Sequence, residues 1–176
     1  MTMVEKNIKS KKTKTESIPK LYFAIRIRGA PGMKRKILDT LKMLRMHKVN
    51  HGVLIWGTKS FKGMLVKCKD YISYGEIDDK TLVRLLRVRG KVEGNKALTE
   101  EHLRNLTEYK TFKALSKALL SGIIQYREMD LKRIKPVFRL HPPRKGHRGT
   151  IKKPYGAGGI LGYAGFYINQ IIHKML

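Results

Sequence analysis

Arg139, Arg144, Lys145, Arg148, Lys152 and Lys153 fall within fifteen consecutive residues that contain no Asp or Glu. His141, His147, prolines and glycines are interleaved with them, and Tyr155 follows. Cations at this density neutralise phosphate oxygens and release the counterions condensed on a polyanion. Tyr155, Tyr163, Phe138 and His141 add ring faces on which unpaired bases can stack, with packing into the protein as the competing role for Phe138 and Tyr163. The wider window 132–154 holds nine Lys or Arg and no acid. It has too few apolar side chains and too many helix breakers to build a core of its own. The segment therefore reads as an extended basic arm threaded against RNA, with Gly156, Gly158 and Gly159 allowing close backbone approach just after it.

Other chemistries find less support. The run Gly156-Ala157-Gly158-Gly159-Ile160-Leu161 lacks the glycine that a dinucleotide fingerprint needs at its sixth place, and no Gly-Lys-Ser/Thr ending is present. His47 and His51 stand four apart, but Asn50 and Gly52 interrupt a helix there and no carboxylate-rich segment completes a metal set. Neither a metal nor a cofactor is expected. Cys68, the single cysteine, lies on an apolar row where a buried structural thiol is the expectation. Asp78, Asp79, Glu100 and Glu101 stand where helices would begin, so dipole and capping effects account for them without a paired-carboxylate site. No catalytic residue is assigned and no small-molecule substrate is expected.

Elements must hold the basic groups in place. Residues 1–20 read as a flexible basic tail. Leu21, Phe23, Ile25 and Ile27 alternate with Tyr22, Ala24, Arg26 and Arg28, which predicts a strand with one buried face and leaves both arginines on the other. After Gly29-Ala30-Pro31-Gly32, the residues Met33, Ile37, Leu41 and Leu44 recur at helical spacing, placing Lys34, Arg35 and Lys36 on the exposed side of an amphipathic helix. Val53–Trp56 predicts a second strand, Thr58 opens a helix with Phe61, Met64, Leu65 and Cys68 inward, and Tyr71–Tyr74 predicts a third strand. Residues 21–77 thus imply an α+β core, a three-stranded sheet with two helices on one face in the order strand-helix-strand-helix-strand. Residues 78–131 read as a helical appendix, with helices opening at Asp78 or Asp79, Thr99 and Thr111 and the last stopped at Gly122. Residues 132–176 read as the basic arm closed by an anchoring helix that contains Phe166, Ile168, Ile171, Ile172 and Met175.

The chain of 176 residues carries 39 Lys or Arg against 13 Asp or Glu, a net charge of +26. Self-repulsion at that charge disfavours an isolated compact state and points to an anionic partner, nucleic acid before a membrane surface. With 41% hydrophobic residues a core can still form. The charge is uneven: residues 75–131 are nearly balanced at eleven basic and nine acidic, whereas residues 21–74 carry twelve and two. No run of eighteen apolar residues occurs, the N-terminus lacks the apolar segment of a secretory signal, and one cysteine forms no internal disulfide; the expectation is a cytoplasmic protein without membrane contact. An RNA-modifying or RNA-chaperone protein with a basic docking surface is the rival reading, and an enzyme of that kind would need a cofactor loop or acid–base set. A DNA-compacting protein is a second rival, separated from the first reading by copurification.

The stretches LYFAIRIRGAPGMKRKILDTLKMLRMHKVNHGVLI and GMLVKCKDYISYGEID resemble the core of the L30 family of large-subunit ribosomal proteins, called L7 in eukaryotes. KPVFRLHPPRKGHRGTIKKPYGAGGILGYAG, followed by Ile168-Asn169, is similar to the C-terminal extension of its archaeal members. The resemblance covers nearly all of residues 20–176. It implies a non-enzymatic rRNA-binding constituent of the large ribosomal subunit, with the 5S rRNA neighbourhood and other large-subunit proteins as partners. It implies the same three-stranded core that the periodicity indicates. Many archaeal members carry arginine where this chain has Ala164, so that position is not carried over as a contact. The expected contacts are Arg26, Arg28, Lys34, Arg35, Lys36, Arg139, His141, Arg144, Lys145, His147, Arg148, Lys152, Lys153 and Tyr155.

Overall fold

All six residues of the first strand, β1 (Leu21–Arg26), are buried, so both of its faces are covered by protein. The computed structural model describes residues 20–176; the expected tail, Lys20 apart, lies outside the described residues. After β1 come α1 (Arg35–Met43), β2 (His51–Trp56), α2 (Lys59–Lys67), β3 (Ile72–Glu76), α3 (Asp79–Arg89), α4 (Glu100–Leu106) and α5 (Phe112–Ser121). Then follow β4 (Val137–Arg139), β5 (Thr150–Pro154), β6 (Gly159–Tyr163) and α6 (Ile168–Met175). The class is α+β, as expected, and the strands form one sheet in the order β4-β2-β1-β3-β6-β5. β1 is antiparallel to β2 and β3, with Phe23 opposite Leu54 and Gly75.

Two apolar layers close on this sheet. Tyr22 and Ala24 join Leu41, Leu44, Leu65 and Cys68 under α1 and α2. Leu21, Phe23 and Ile25 join Leu82, Leu85, Leu115, Leu119, Ile168 and Ile172 under α3, α5 and α6. The period of two in β1 sorts these side chains correctly, but the face opposite Leu21, Phe23 and Ile25 is a second core rather than solvent. Helix signals act where the sequence places them: Thr58 accepts from the Phe61 N–H, Thr99 and His102 form a reciprocal capping pair, and Gly122 ends α5 in the left-handed region.

The segment read as an arm supplies the outer strands. β4 pairs antiparallel with β2, setting Phe138 opposite Gly52, and β6 runs parallel to β3 with Tyr74 opposite Tyr163. Phe138 is fully buried, stacked on Tyr126 at 4.9 Å and tilted against Phe23 at 5.9 Å. The few apolar residues of this segment, Phe138, Leu140, Ile160 and Leu161, fail to make a core alone yet complete one that the rest of the chain has begun. Between the parallel strands β5 and β6 only residues 155–158 intervene, where such a connection ordinarily takes about a dozen residues. Gly149 against the Gly158 carbonyl and Gly159 against the Lys153 carbonyl leave no room for a side chain at this crossover.

Candidate nucleic-acid interface

The helices differ in the charge at their ends. α3 opens on Asp79 and α4 on Glu100 and Glu101, and each carries arginine in its last turn, as the helix dipole favours. α1 and α2 are basic at both ends, with Lys42 and Lys67 in their last turns. Neither has an acid in its first turn; Lys34, Arg35 and Lys36 crowd the positive end of α1, and Lys59 opens α2. Like charge at a helix N-terminus is unfavourable by a few tenths of a kcal/mol or more, a penalty that an anionic partner reverses. Arg35 reaches Asp39 at 3.6 Å, an exposed pair of small energy. Among the described residues, Lys34, Lys36, Lys42, Lys59, Lys62, Lys67 and Lys69 have no carboxylate partner. Elsewhere Arg45, just past the end of α1, meets Asp130 at 2.7 Å and Arg133 meets Glu93 at 3.6 Å.

The second basic surface follows the arm from one sheet edge toward the other. Arg139 is exposed on β4 at one edge, and Lys152 and Lys153 are exposed on β5 at the other. Between them the chain is tied to the end of α6: the His141 N–H donates to the Met175 carbonyl at 3.0 Å and the Arg144 N–H to the Lys174 carbonyl at 2.9 Å. A tight turn follows, with the Gly146 N–H on the Pro143 carbonyl and both Lys145 and Gly146 in the left-handed region, and it presents Arg144 and Lys145 to solvent. Arg148 lies over the Tyr167 ring at 5.5 Å, and Tyr155 packs on the same ring at 5.4 Å. Tyr155 thereby offers a braced, half-buried ring beside an exposed guanidinium, with Gly156 and Gly158 open to solvent next to it. The two surfaces approach each other where α2 gives way to β3: a side chain at Gly162 of β6 would lie 3.9 Å from the Lys69 Cβ.

Several expected contacts are placed otherwise. Arg26 is only 2% exposed; its guanidinium donates to the carbonyls of Arg28, Met46 and His47 at 2.8–2.9 Å, so it crosslinks loops and faces no solvent. Arg28 is half-buried, over the Tyr71 ring at 5.1 Å, with an edge left for a partner. His147 is half-buried against α6; burial first, then the Lys174 ammonium, holds its pKa below the usual imidazole value, so it is an uncharged ring at neutral pH. Gly159 is buried and its bareness serves the Lys153 contact inside the protein, which removes it from the close-approach set. Phe138 is core, as above, and Tyr163 donates its hydroxyl to Glu76 at 2.8 Å while its ring stays half exposed. Sequence reasoning missed Lys59, Lys62, Lys67 and Lys69. The helical period that turns Phe61, Met64 and Leu65 inward already sets these lysines outside, and that signal was available.

Arginine and lysine at this density, with braced aromatic rings and few competing carboxylates, can neutralise a phosphate backbone and stack a base. Among the described residues no three His, Cys, Asp or Glu side chains converge as metal ligands, and no helix is long and apolar enough to cross a membrane.

Comparison with known proteins gives this surface a setting. Residues 22–72 match the family described as ribosomal protein L30p/L7e. The large ribosomal subunit protein uL30 of Methanococcus maripaludis strain C5 is 47% identical over 156 residues, covering 88% of this chain and 99% of the relative. The proteins of the same name from Methanoculleus marisnigri and Methanocorpusculum labreanum are 46% and 43% identical over 155 residues, with the same coverage.

Proposed function

The chain belongs to the L30p/L7e family of ribosomal proteins, and from that premise we propose that it is a structural, non-enzymatic constituent of an archaeal-type large ribosomal subunit, in the cytoplasm. The observation that carries this reading is the 47% identity to a uL30 protein maintained over 99% of that protein's length. Its work is to bind and organise rRNA, with other large-subunit proteins as neighbours and the 5S rRNA region as its location.

The contacts follow from the exposed cations. Lys34, Arg35 and Lys36 take phosphates at the positive end of α1, with Arg28 at the adjoining loop. Arg139, His141, Arg144, Lys145, Arg148, Lys152 and Lys153 track a backbone along the arm. Tyr155 stacks on an unpaired base, and Gly156 and Gly158 let the nucleotide come close. His147 acts as an uncharged ring behind them.

The test is sedimentation of the tagged full-length protein from an archaeal lysate after a moderate-salt wash. It should travel with large subunits; recovery with chromosomal DNA or in the free fraction would overturn the assignment. Its affinity for transcribed 23S and 5S rRNA should fall roughly 10³- to 10⁵-fold between about 50 and 200 mM salt, the signature of six to ten phosphate contacts.

A further inference from the structure

The chain has 16 glycines, and the fold itself requires nearly all of them. Each either adopts a left-handed φ or has a neighbour where a Cβ would go; only Gly63 and Gly156 have an ordinary φ and nothing within 4 Å of an added Cβ. Gly156 belongs to the interface already described. Gly63 does not. It stands in the middle of α2, where glycine is the least favourable residue after proline, and it is exposed. A helix that keeps a glycine there gains nothing from it in the free protein.

What surrounds Gly63 indicates the reason. It lines an open groove between α1 and α2 together with Lys36, Met43, Ser60, Met64 and Lys67. Asp39, also on the groove, is engaged by Arg35. The two helices and their flanks from Lys34 to Lys69 carry this one acid against ten Lys or Arg, of which Arg35 is paired with Asp39 and Arg45 with Asp130. A groove of that charge repels a basic peptide and attracts phosphate.

We propose that the α1–α2 groove, which adjoins the contacts at the start of α1 through Lys36, seats one sugar–phosphate strand of rRNA against the bare α2 backbone at Gly63, with Lys36 of α1 and Lys67 of α2 on its phosphates. This rests on the rRNA-binding reading above and extends it to a face that the arm does not reach. The absence of a side chain at Gly63 lets the strand lie a methyl's width closer to the helix. Met43 and Met64 supply adaptable apolar contact for the riboses.

The sign of one substitution tests it. In the full-length protein, Gly63→Ala should raise the Tm of the free chain, because the added methyl meets nothing, yet weaken binding to transcribed archaeal 23S rRNA about five- to tenfold. Gly63→Gln should weaken it further. Replacing Lys36 and Lys67 together by alanine should reduce the salt slope of binding by roughly two. An iron chelate tethered at Ser60→Cys should cleave a discrete rRNA stretch in the assembled subunit; Cys68 is fully buried and does not compete for the label. Equal rRNA binding by wild type and Gly63→Ala, or no cleavage from position 60 while a tether at Arg144→Cys does cleave, overturns the groove and leaves the ribosomal assignment standing. Failure of the wild type to bind rRNA at all overturns the assignment itself.

Discussion

A guanidinium bonded to three carbonyls is a crosslink, and Arg26 joins the end of β1 to the loop between α1 and β2 in this way. Arg26→Ala should lower the urea-unfolding free energy by about 3 kcal/mol, since it strands buried acceptors, while leaving the salt slope of rRNA binding unchanged. A fall in that slope without loss of stability would show that Arg26 meets phosphate after all. The residue was misread because alternation in a strand reports two faces but not what lies on each. Arg28, two positions on, belongs to the same face yet clears the core at the strand end, so one pattern yields a crosslink and a surface cation. By contrast Arg144, Lys145, Lys152 and Lys153 were legible, because prolines, glycines and missing acids leave long cationic side chains nowhere to be buried or paired.

At the scale of elements, α1, α2 and the opening strands were readable because 3.6- and two-residue periods ran long enough to be unambiguous. β4 and β6 were not: they are three and five residues long and owe their existence to pairing with β2 and β3 far upstream. The anchoring helix was legible from Ile168, Ile171, Ile172 and Met175, whereas Phe166 lies before it and is exposed, and what the helix anchors was not legible. Its last carbonyls receive the His141 and Arg144 amides, and the Leu176 carbonyl accepts from Arg89 at 2.6 Å. Deleting Lys174–Leu176 should therefore free residues 141–149 and speed tryptic cleavage after Arg144 and Arg148 several-fold, with the sheet retained by circular dichroism. Unchanged cleavage would mean that the arm is held by β5 and β6 alone.

For the whole molecule, charge and burial set opposite demands on pH. Burial raises the Cys68 thiol from 9.0 to about 11, and burial followed by the Glu76 carboxylate raises the Tyr163 hydroxyl to about 12. Burial pushes Tyr126 up as well. Above pH 9 the unfolded chain therefore binds fewer protons than the folded one, and stability falls as pH rises through 11. Urea midpoints at about pH 8 and about pH 10.5 should show this fall, and Cys68→Ala should flatten it; a midpoint that stays level in the wild type would refute the burial argument. The two outermost pairings of the central three strands, β4 on β2 and β6 on β3, both come from the last forty residues. A ribosome making this chain at ordinary speed needs roughly five to twenty seconds after β3 before those partners exist. Throughout that interval both sides of the nascent sheet carry open backbone donors and acceptors. The strand order thus leaves the central sheet open at both edges until the last forty residues have been made.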